Sequence, residues 1–95
     1  MTYIYIIGNQ DSLQKIGYAI NPTKRLKQLQ TGNPEQLFLH HKIEVPDDRA
    51  RLIEQHIHRE INYKRTKGEW FKLTPKEAIA LLNYAAIRWV DDQLL

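Results

Sequence analysis

The chain begins with the pattern of apolar and polar residues that is typical of two β-strands joined by a turn. Residues 2–7 are all aromatic or β-branched, and residues 13–18 return after a segment of turn-forming residues. Successive side chains of a strand point to opposite faces, so Tyr5 is predicted on the face opposite the neighbouring isoleucines. In the second strand Lys15 and Gly17 share a face. The segment therefore predicts a hairpin.

Three later segments have the apolar spacing of amphipathic helices, and each has a start signal. Asn21 can cap the first helix, with proline at its first position, and Asp47 or Asp48 can cap the second. Thr74 opens a capping box that starts the last helix. The predicted helices cover about residues 22–30, 48–63 and 75–90.

A third strand is predicted between the first two helices, at residues 37–45, and it ends at a proline. Simple alternation gives it one apolar face that contains Leu37, Leu39, His41, Ile43 and Val45. Residues 64–69 are predicted as a basic loop, and a short extended segment follows. The element order predicts a small single α/β (α+β) domain over residues 1–95, with a mainly antiparallel three-stranded sheet flanked by helices.

Composition excludes several classes of function. The 95 residues fit one domain. The absence of cysteine excludes disulfide scaffolds, cysteine-ligated zinc and thiol nucleophiles. The apolar run near the start is too short for a signal peptide or a membrane span, so we expect an intracellular, cytoplasmic protein that does not bind a membrane.

Positive charge is concentrated in part of the chain. The net charge is only +3, but residues 59–72 have five basic side chains against two acidic ones. Such a stretch suits a phosphate backbone, and a solvated basic face is the alternative. We expect DNA as the partner. The predicted phosphate contacts are Lys24, Lys27, Lys64, Arg65 and Lys67.

Five short motifs follow one another along residues 2–73. They are Tyr3-Ile4-Tyr5, Lys15-Ile16-Gly17, Asn21-Pro22 followed by Arg25-Leu26, Glu54 with His58 one turn later, and Gly68-Glu69-Trp70-Phe71. In order and spacing they resemble a GIY-YIG nuclease, in particular the short branch common in phage and bacterial genomes. In that branch the second half-motif often reads Lys-Ile-Gly. The resemblance implies hydrolysis of a DNA phosphodiester with one divalent cation, Mg²⁺ or Mn²⁺.

The resemblance also implies roles for individual residues. Tyr5 matches the tyrosine of the first half-motif, Arg25 the helix arginine, and Glu54 the glutamate that binds the metal. Lys15 stands where the family usually has its second tyrosine, and the family's usual downstream asparagine has no evident counterpart. With His58, these residues form the predicted catalytic set.

The chemistry of these residues is compatible with that assignment, although each has a structural alternative. Tyr5 is a poor base at its ordinary pKa near 10, so it needs a cation beside it, and Lys15 is predicted to favour the tyrosinate. Arg25 can hold a phosphate oxygen, and Glu54 offers the hard oxygen ligands that Mg²⁺ prefers. His58 could orient water. The structural alternative for Tyr5 is an aromatic residue of the sheet, and for Arg25 a surface arginine. For Glu54 it is an exposed salt bridge, and for His58 a structural histidine.

Three functional hypotheses follow. The leading one is a DNA endonuclease or nicking nuclease, and the second is a nucleic-acid-binding module of the same fold that has lost cleavage. The third is an interaction protein, because the last helix has more apolar residues than one stripe needs and could form a homodimer. Trp70 is most simply a core residue, and the alternative is that it lies under a nucleotide base.

Overall fold

A computed structural model describes residues 1–91 of the chain. The five strands are β1 (Thr2–Gly8), β2 (Leu13–Ala19), β3 (Phe38–Val45), β4 (Arg65–Lys67) and β5 (Trp70–Lys72). The three α-helices are α1 (Pro22–Gln30), α2 (Ala50–Glu60) and α3 (Pro75–Ala85). A 3₁₀ turn (Asn62–Lys64) follows α2, and a π-helical segment (Ala86–Asp91) continues α3.

The strands form one antiparallel sheet in the order β3-β1-β2-β5-β4. The predicted three-stranded sheet is therefore wrong, although its three strands are present as β3, β1 and β2. The two additional strands form a hairpin whose turn contains Gly68, at a positive φ of 57° that favours glycine. That hairpin pairs with the first half of β2, from Leu13 to Lys15. The predicted basic loop is mostly this hairpin.

Apolar side chains cover both faces of the sheet. One face packs against α2 and α3, where isoleucines of β1 and β2 meet the isoleucine row of α2. Buried members of this main core include Ile4, Ile6, Ile16, Ile53, Ile57, Phe71 and Leu82. The opposite face packs against α1, and its smaller core contains Tyr5, Ile7 and Leu37. Tyr5 therefore faces α1 and not the main core.

An irregularity in β3 corrects the prediction of a single apolar face for this strand. The pairing of β1 with β3 shifts register between Ile6 and Ile7, which face His41 and Leu39 respectively. Such a bulge reverses the alternation of side chains. Leu39 consequently packs with the Tyr5 core, whereas Ile43 packs with the main core.

Two of the predicted helix starts are confirmed. The side chain of Asn21 accepts a hydrogen bond from the backbone N–H of Lys24 at 3.1 Å, and both hydrogen bonds of the Thr74 capping box are present. The predicted aspartate cap of α2 is wrong, because that helix starts at Ala50 without a side-chain cap. Asp47 instead accepts a hydrogen bond from the Thr2 hydroxyl at 2.7 Å, which ties the loop to β1.

Most of the apolar excess of the last helix lies against the domain itself. Ala78, Leu82 and Ala85 are buried in the main core, and further apolar side chains of α3 and the π-helical segment pack against it. Tyr84 and Ile87 are exposed. A homodimer through this helix stays a prediction. Within residues 1–91, no helix combines the length and the apolar character needed to cross a membrane.

Candidate metal centre

The candidate site lies along the part of β2 that β5 does not cover. β5 pairs only with residues 13–15, so the outward backbone groups of Ile16 and Tyr18 have other partners. The Ile16 N–H donates to the carbonyl oxygen of Glu69 at 3.3 Å, and the Ile16 carbonyl lies 2.7 Å from Nε2 of His58. The Tyr18 N–H donates to the carboxylate of Glu54. The edge of β2 thus contacts the side chains of Glu54 and His58 and the backbone of Glu69.

The side chains of these three residues can hold a metal ion together. One ligand atom from each of Glu54, His58 and Glu69 lies within 4.8 Å of the others. Residues four apart lie on the same side of a helix, so α2 presents Glu54 and His58 together. Glu69 comes from the turn between β4 and β5. We call this group the Glu-His-Glu cluster.

The hydrogen bond of His58 determines which of its ring nitrogens is free. A carbonyl oxygen can only accept, so Nε2 carries the hydrogen that is donated to Ile16. Burial lowers the pKa of His58 below its usual 6.5, and the imidazole is therefore neutral at pH 7. Its Nδ1 then has a lone pair, which lies 4.0 Å from Oε1 of Glu54. This nitrogen can accept a proton or bind a metal.

Burial has the opposite effect on the neighbouring carboxyl group. Glu54 is only 7% exposed, and burial together with the negative charge of Glu69 raises its pKa to about 7. Lys15, the Tyr18 N–H and Arg51 oppose this rise without cancelling it. Two carboxylates held this close therefore repel each other, and a bound cation would relieve that repulsion.

Tyr5 reaches the cluster from the α1 side because the residue opposite it is a glycine. Tyr5 pairs with Gly17, and a Cβ atom at Gly17 would lie 2.5 Å from the Tyr5 hydroxyl oxygen. The ring thus lies across the bare backbone of β2. Burial raises the pKa of Tyr5, and a hydrogen bond with the Arg25 guanidinium on α1 lowers it less. The phenol is therefore protonated at neutral pH.

Lys15 contacts a carboxylate of the cluster, not the tyrosine that the sequence pattern suggests. Its ammonium lies 2.9 Å from Oε1 of Glu69, and its residue is only 8% exposed. The cation beside Tyr5 is Arg25. The predicted catalytic residues Tyr5, Lys15, Arg25, Glu54 and His58 are nevertheless all brought to one region, by pairing across β1 and β2 and by the approach of α1 and α2.

A model of the T5orf172 domain matches residues 2–89. The chain belongs to the T5orf172 domain family. This domain is phage-associated and related to nuclease-like folds. The match extends through α3, beyond the region in which the motifs were recognised. No curated protein and no solved structure is similar enough to the chain to give a match. The relation to GIY-YIG nucleases themselves stays a prediction.

Glu69 is the residue of this T5orf172 domain that sequence reasoning left without a role. It stands in the recognised Gly68-Glu69-Trp70-Phe71 motif and is one of two acids in the most basic stretch of the chain. An acidic residue at that position was the sequence feature that could have indicated a metal ligand. Its partner Ile16 is 53 positions away, and no local pattern reveals that contact.

The predicted DNA contacts of the T5orf172 domain form two groups. Lys24 and Lys27 are exposed on α1, and Lys64, Arg65 and Lys67 lie on the 3₁₀ turn and β4. Arg65 is held in place, since its Nε donates to Asn62 at 3.0 Å and its guanidinium stacks 4.9 Å from the Phe71 ring centre.

Proposed function

We propose that this T5orf172 domain is a metal-dependent DNA endonuclease or nicking nuclease that hydrolyses a phosphodiester bond. One observation carries the proposal: three possible metal ligands lie within 4.8 Å of one another beside a tyrosine and an arginine. Phosphodiester hydrolysis requires these elements: a site for a cation, an acceptor for the proton of water, and a positive group for the phosphate oxygens.

The donor set of the Glu-His-Glu cluster fits Mg²⁺ or Mn²⁺. Glu54 and Glu69 supply the hard carboxylate oxygens that both ions prefer, and Mn²⁺ also accepts imidazole nitrogen. We assign the ion to the two carboxylates. When bound, such a cation stabilises negative charge on phosphate oxygens and lowers the pKa of a water molecule.

The protein's own groups supply the remaining steps. His58 is neutral and oriented by Ile16, so its Nδ1 can take the proton of an attacking water. Arg25 can bind a phosphate oxygen with a charge-assisted hydrogen bond. Tyr5 is protonated, so it donates a hydrogen bond to the phosphate and does not act as the first base. Its hydrogen bond with Arg25 holds these two groups next to each other.

Nicking of supercoiled plasmid tests this function. Wild type should nick in Mg²⁺ or Mn²⁺ and be inactive in EDTA. Glu54→Gln and Glu69→Gln should each lower the rate by about a hundredfold or more, because each removes a charge that holds the cation. Glu60→Gln is the matched control, since Glu60 is exposed on the same helix. Equal rates for the wild type and both cluster variants would overturn the proposal.

One contact favours a second candidate, the binding module that does not cleave. The Lys15 ammonium already neutralises Glu69 at 2.9 Å, so a protein cation shares the carboxylate that we assign to the metal. This module would bind DNA and leave the plasmid intact in every divalent metal. The same assay therefore separates the two candidates.

Both candidates require a DNA surface, and the basic side chains supply it. Affinity should fall steeply with salt, because each phosphate contact releases counterions. Reversing Arg65 and Lys67 to glutamate should weaken binding to all sequences alike. Lys76→Glu, at an exposed position of α3, is the control that should have little effect. Affinity that does not change with salt would exclude DNA as the partner.

A further inference from the structure

A cavity of about 310 Å³ lies against Trp70, the residue that follows Glu69 of the Glu-His-Glu cluster in the chain. Three connections enclose it: the β1–β2 turn, the segment between α1 and β3, and the β4–β5 hairpin. Its volume is at the lower end for small-molecule sites, so it fits one compact group. We call it the Trp70 cavity, after the aromatic side chain in its wall.

The wall of the Trp70 cavity is suited to a flat, largely apolar ligand. Leu13, Pro34 and Leu37 line it together with the indole of Trp70. The carboxylate of Glu35 also lines it and is held by a 2.8 Å hydrogen bond from the side chain of Asn9. A carboxylate repels phosphate but accepts a hydrogen bond from an amino group, such as those of nucleobases. Lys67 also lines the cavity and would attract phosphate, so the preference for a base comes from the apolar wall and the Trp70 indole.

The surroundings of the cavity supply the complementary charge. A second cavity of about 320 Å³ meets it at Thr66 and is lined by Lys64, Arg65 and Lys72. Lys15 connects the Trp70 cavity to the cluster, because its Nζ lies 5.9 Å from the Trp70 ring centre and 2.9 Å from Glu69. An apolar cavity thus lies between a basic surface and the candidate metal ligands.

We propose that the Trp70 cavity binds one unpaired nucleobase of the DNA strand whose neighbouring phosphate is hydrolysed. This inference rests on the proposed function and adds the substrate class. A base that is stacked in a duplex cannot enter a cavity enclosed on three sides, so it must come from a single strand or be extruded from the helix. The basic side chains around Thr66 then hold the adjoining backbone.

Fluorescence in EDTA tests the subsite without any cleavage. The chain has two tryptophans, so Trp89→Phe leaves Trp70 as the only one. A short single-stranded oligonucleotide should quench this fluorescence, and a strand of equal length made of abasic residues should not.

In the native background, Trp70→Leu should weaken single-strand binding about 5- to 150-fold, the range expected for loss of one stacked base. Trp70→Phe should retain most of the affinity, and Tyr84→Leu, at an exposed position of α3, should retain all of it.

Each outcome decides the question. Intact and abasic strands that bind and quench alike, or single-stranded and duplex DNA that bind alike at the same salt, would overturn the subsite. Because the abasic comparison uses native Trp70, it stands even when Trp70→Leu fails to fold. Loss of nicking in Glu54→Gln together with no base-dependent quenching would overturn the subsite and leave the nuclease proposal intact. Base-dependent quenching without nicking in any metal would overturn the nuclease proposal and leave the base-binding subsite intact.

Discussion

Replacing Glu54 by glutamine should remove a loss of stability that the metal-free protein undergoes as the pH rises from about 5 to 8. The folded protein raises the pKa of Glu54 from an ordinary 4.5 to about 7. In this interval the folded state binds a proton that the unfolded chain releases. The stability gained from this bound proton is complete below about pH 4.5 and is lost as the pH rises through 7.

The size of the effect follows from those two pKa values. At pH 5 the retained proton contributes about 2–3 kcal/mol to the free energy of unfolding, and at pH 8 it contributes almost nothing. For a domain of this size, the loss corresponds to a fall in Tm of about 10–20 °C. Glutamine cannot titrate, and its side-chain oxygen can still accept the hydrogen bond from Tyr18.

Thermal unfolding followed by circular dichroism in EDTA measures this difference. The wild type should lose stability relative to Glu54→Gln as the pH rises from 5 to 8. His58 acts in the opposite sense, because its lowered pKa adds stability that is lost as the pH falls through and below 6.5. That contribution is shared and largely cancels between the two proteins. Glu60→Gln should behave like the wild type. The same pH slope in wild type and Glu54→Gln would refute the reasoning.

Three further substitutions test other contacts. Gly17→Ala should lower stability by about 1–3 kcal/mol, since the new Cβ would lie 2.5 Å from the Tyr5 hydroxyl oxygen, and an unchanged urea midpoint would contradict that packing. Lys15→Met should tighten Mn²⁺ binding at pH 8 in calorimetry, because it frees Glu69 from its ion pair; weaker binding would show that Lys15 assists the metal. Thr74→Ala should cost about 1 kcal/mol in the same urea titration through loss of the capping box, and no change would mean that α3 does not depend on it.

Short-range sequence signals predicted the fold well where the interacting residues are close in the chain. Asn21 caps α1 through a residue three positions away, and Thr74 and Glu77 cap α3 over the same distance. The first three strands were found because their apolar alternation and turn residues are local. Such features depend on backbone geometry within a few residues, which the sequence specifies directly.

The features that were missed depend on contacts between distant residues. The bulge in β3 is defined against β1, and it moves Leu39 to the face of Tyr5. The segment of β5 was expected to be extended, but its pairing with β2 was not, because Trp70 pairs with Lys15, 55 positions earlier in the chain. Asp47 has the side chain of a helix cap, but the hydroxyl of Thr2 competes for it. No window of sequence contains both partners of any of these contacts, so local patterns could not predict them.

Glu54 and His58 also cover backbone groups on the part of β2 that β5 leaves unpaired. A strand with unsatisfied N–H and C=O groups is a template on which another chain can add a strand and start aggregation. Here His58 covers the carbonyl of Ile16, and Glu54 covers the N–H of Tyr18. Truncating either side chain to alanine would therefore leave a backbone group unpaired and open to pairing with another chain, as well as remove a chemical group. Glu54 and His58 therefore cover backbone groups as well as supply chemical groups, and a substitution there should be isosteric if the two effects are to be told apart.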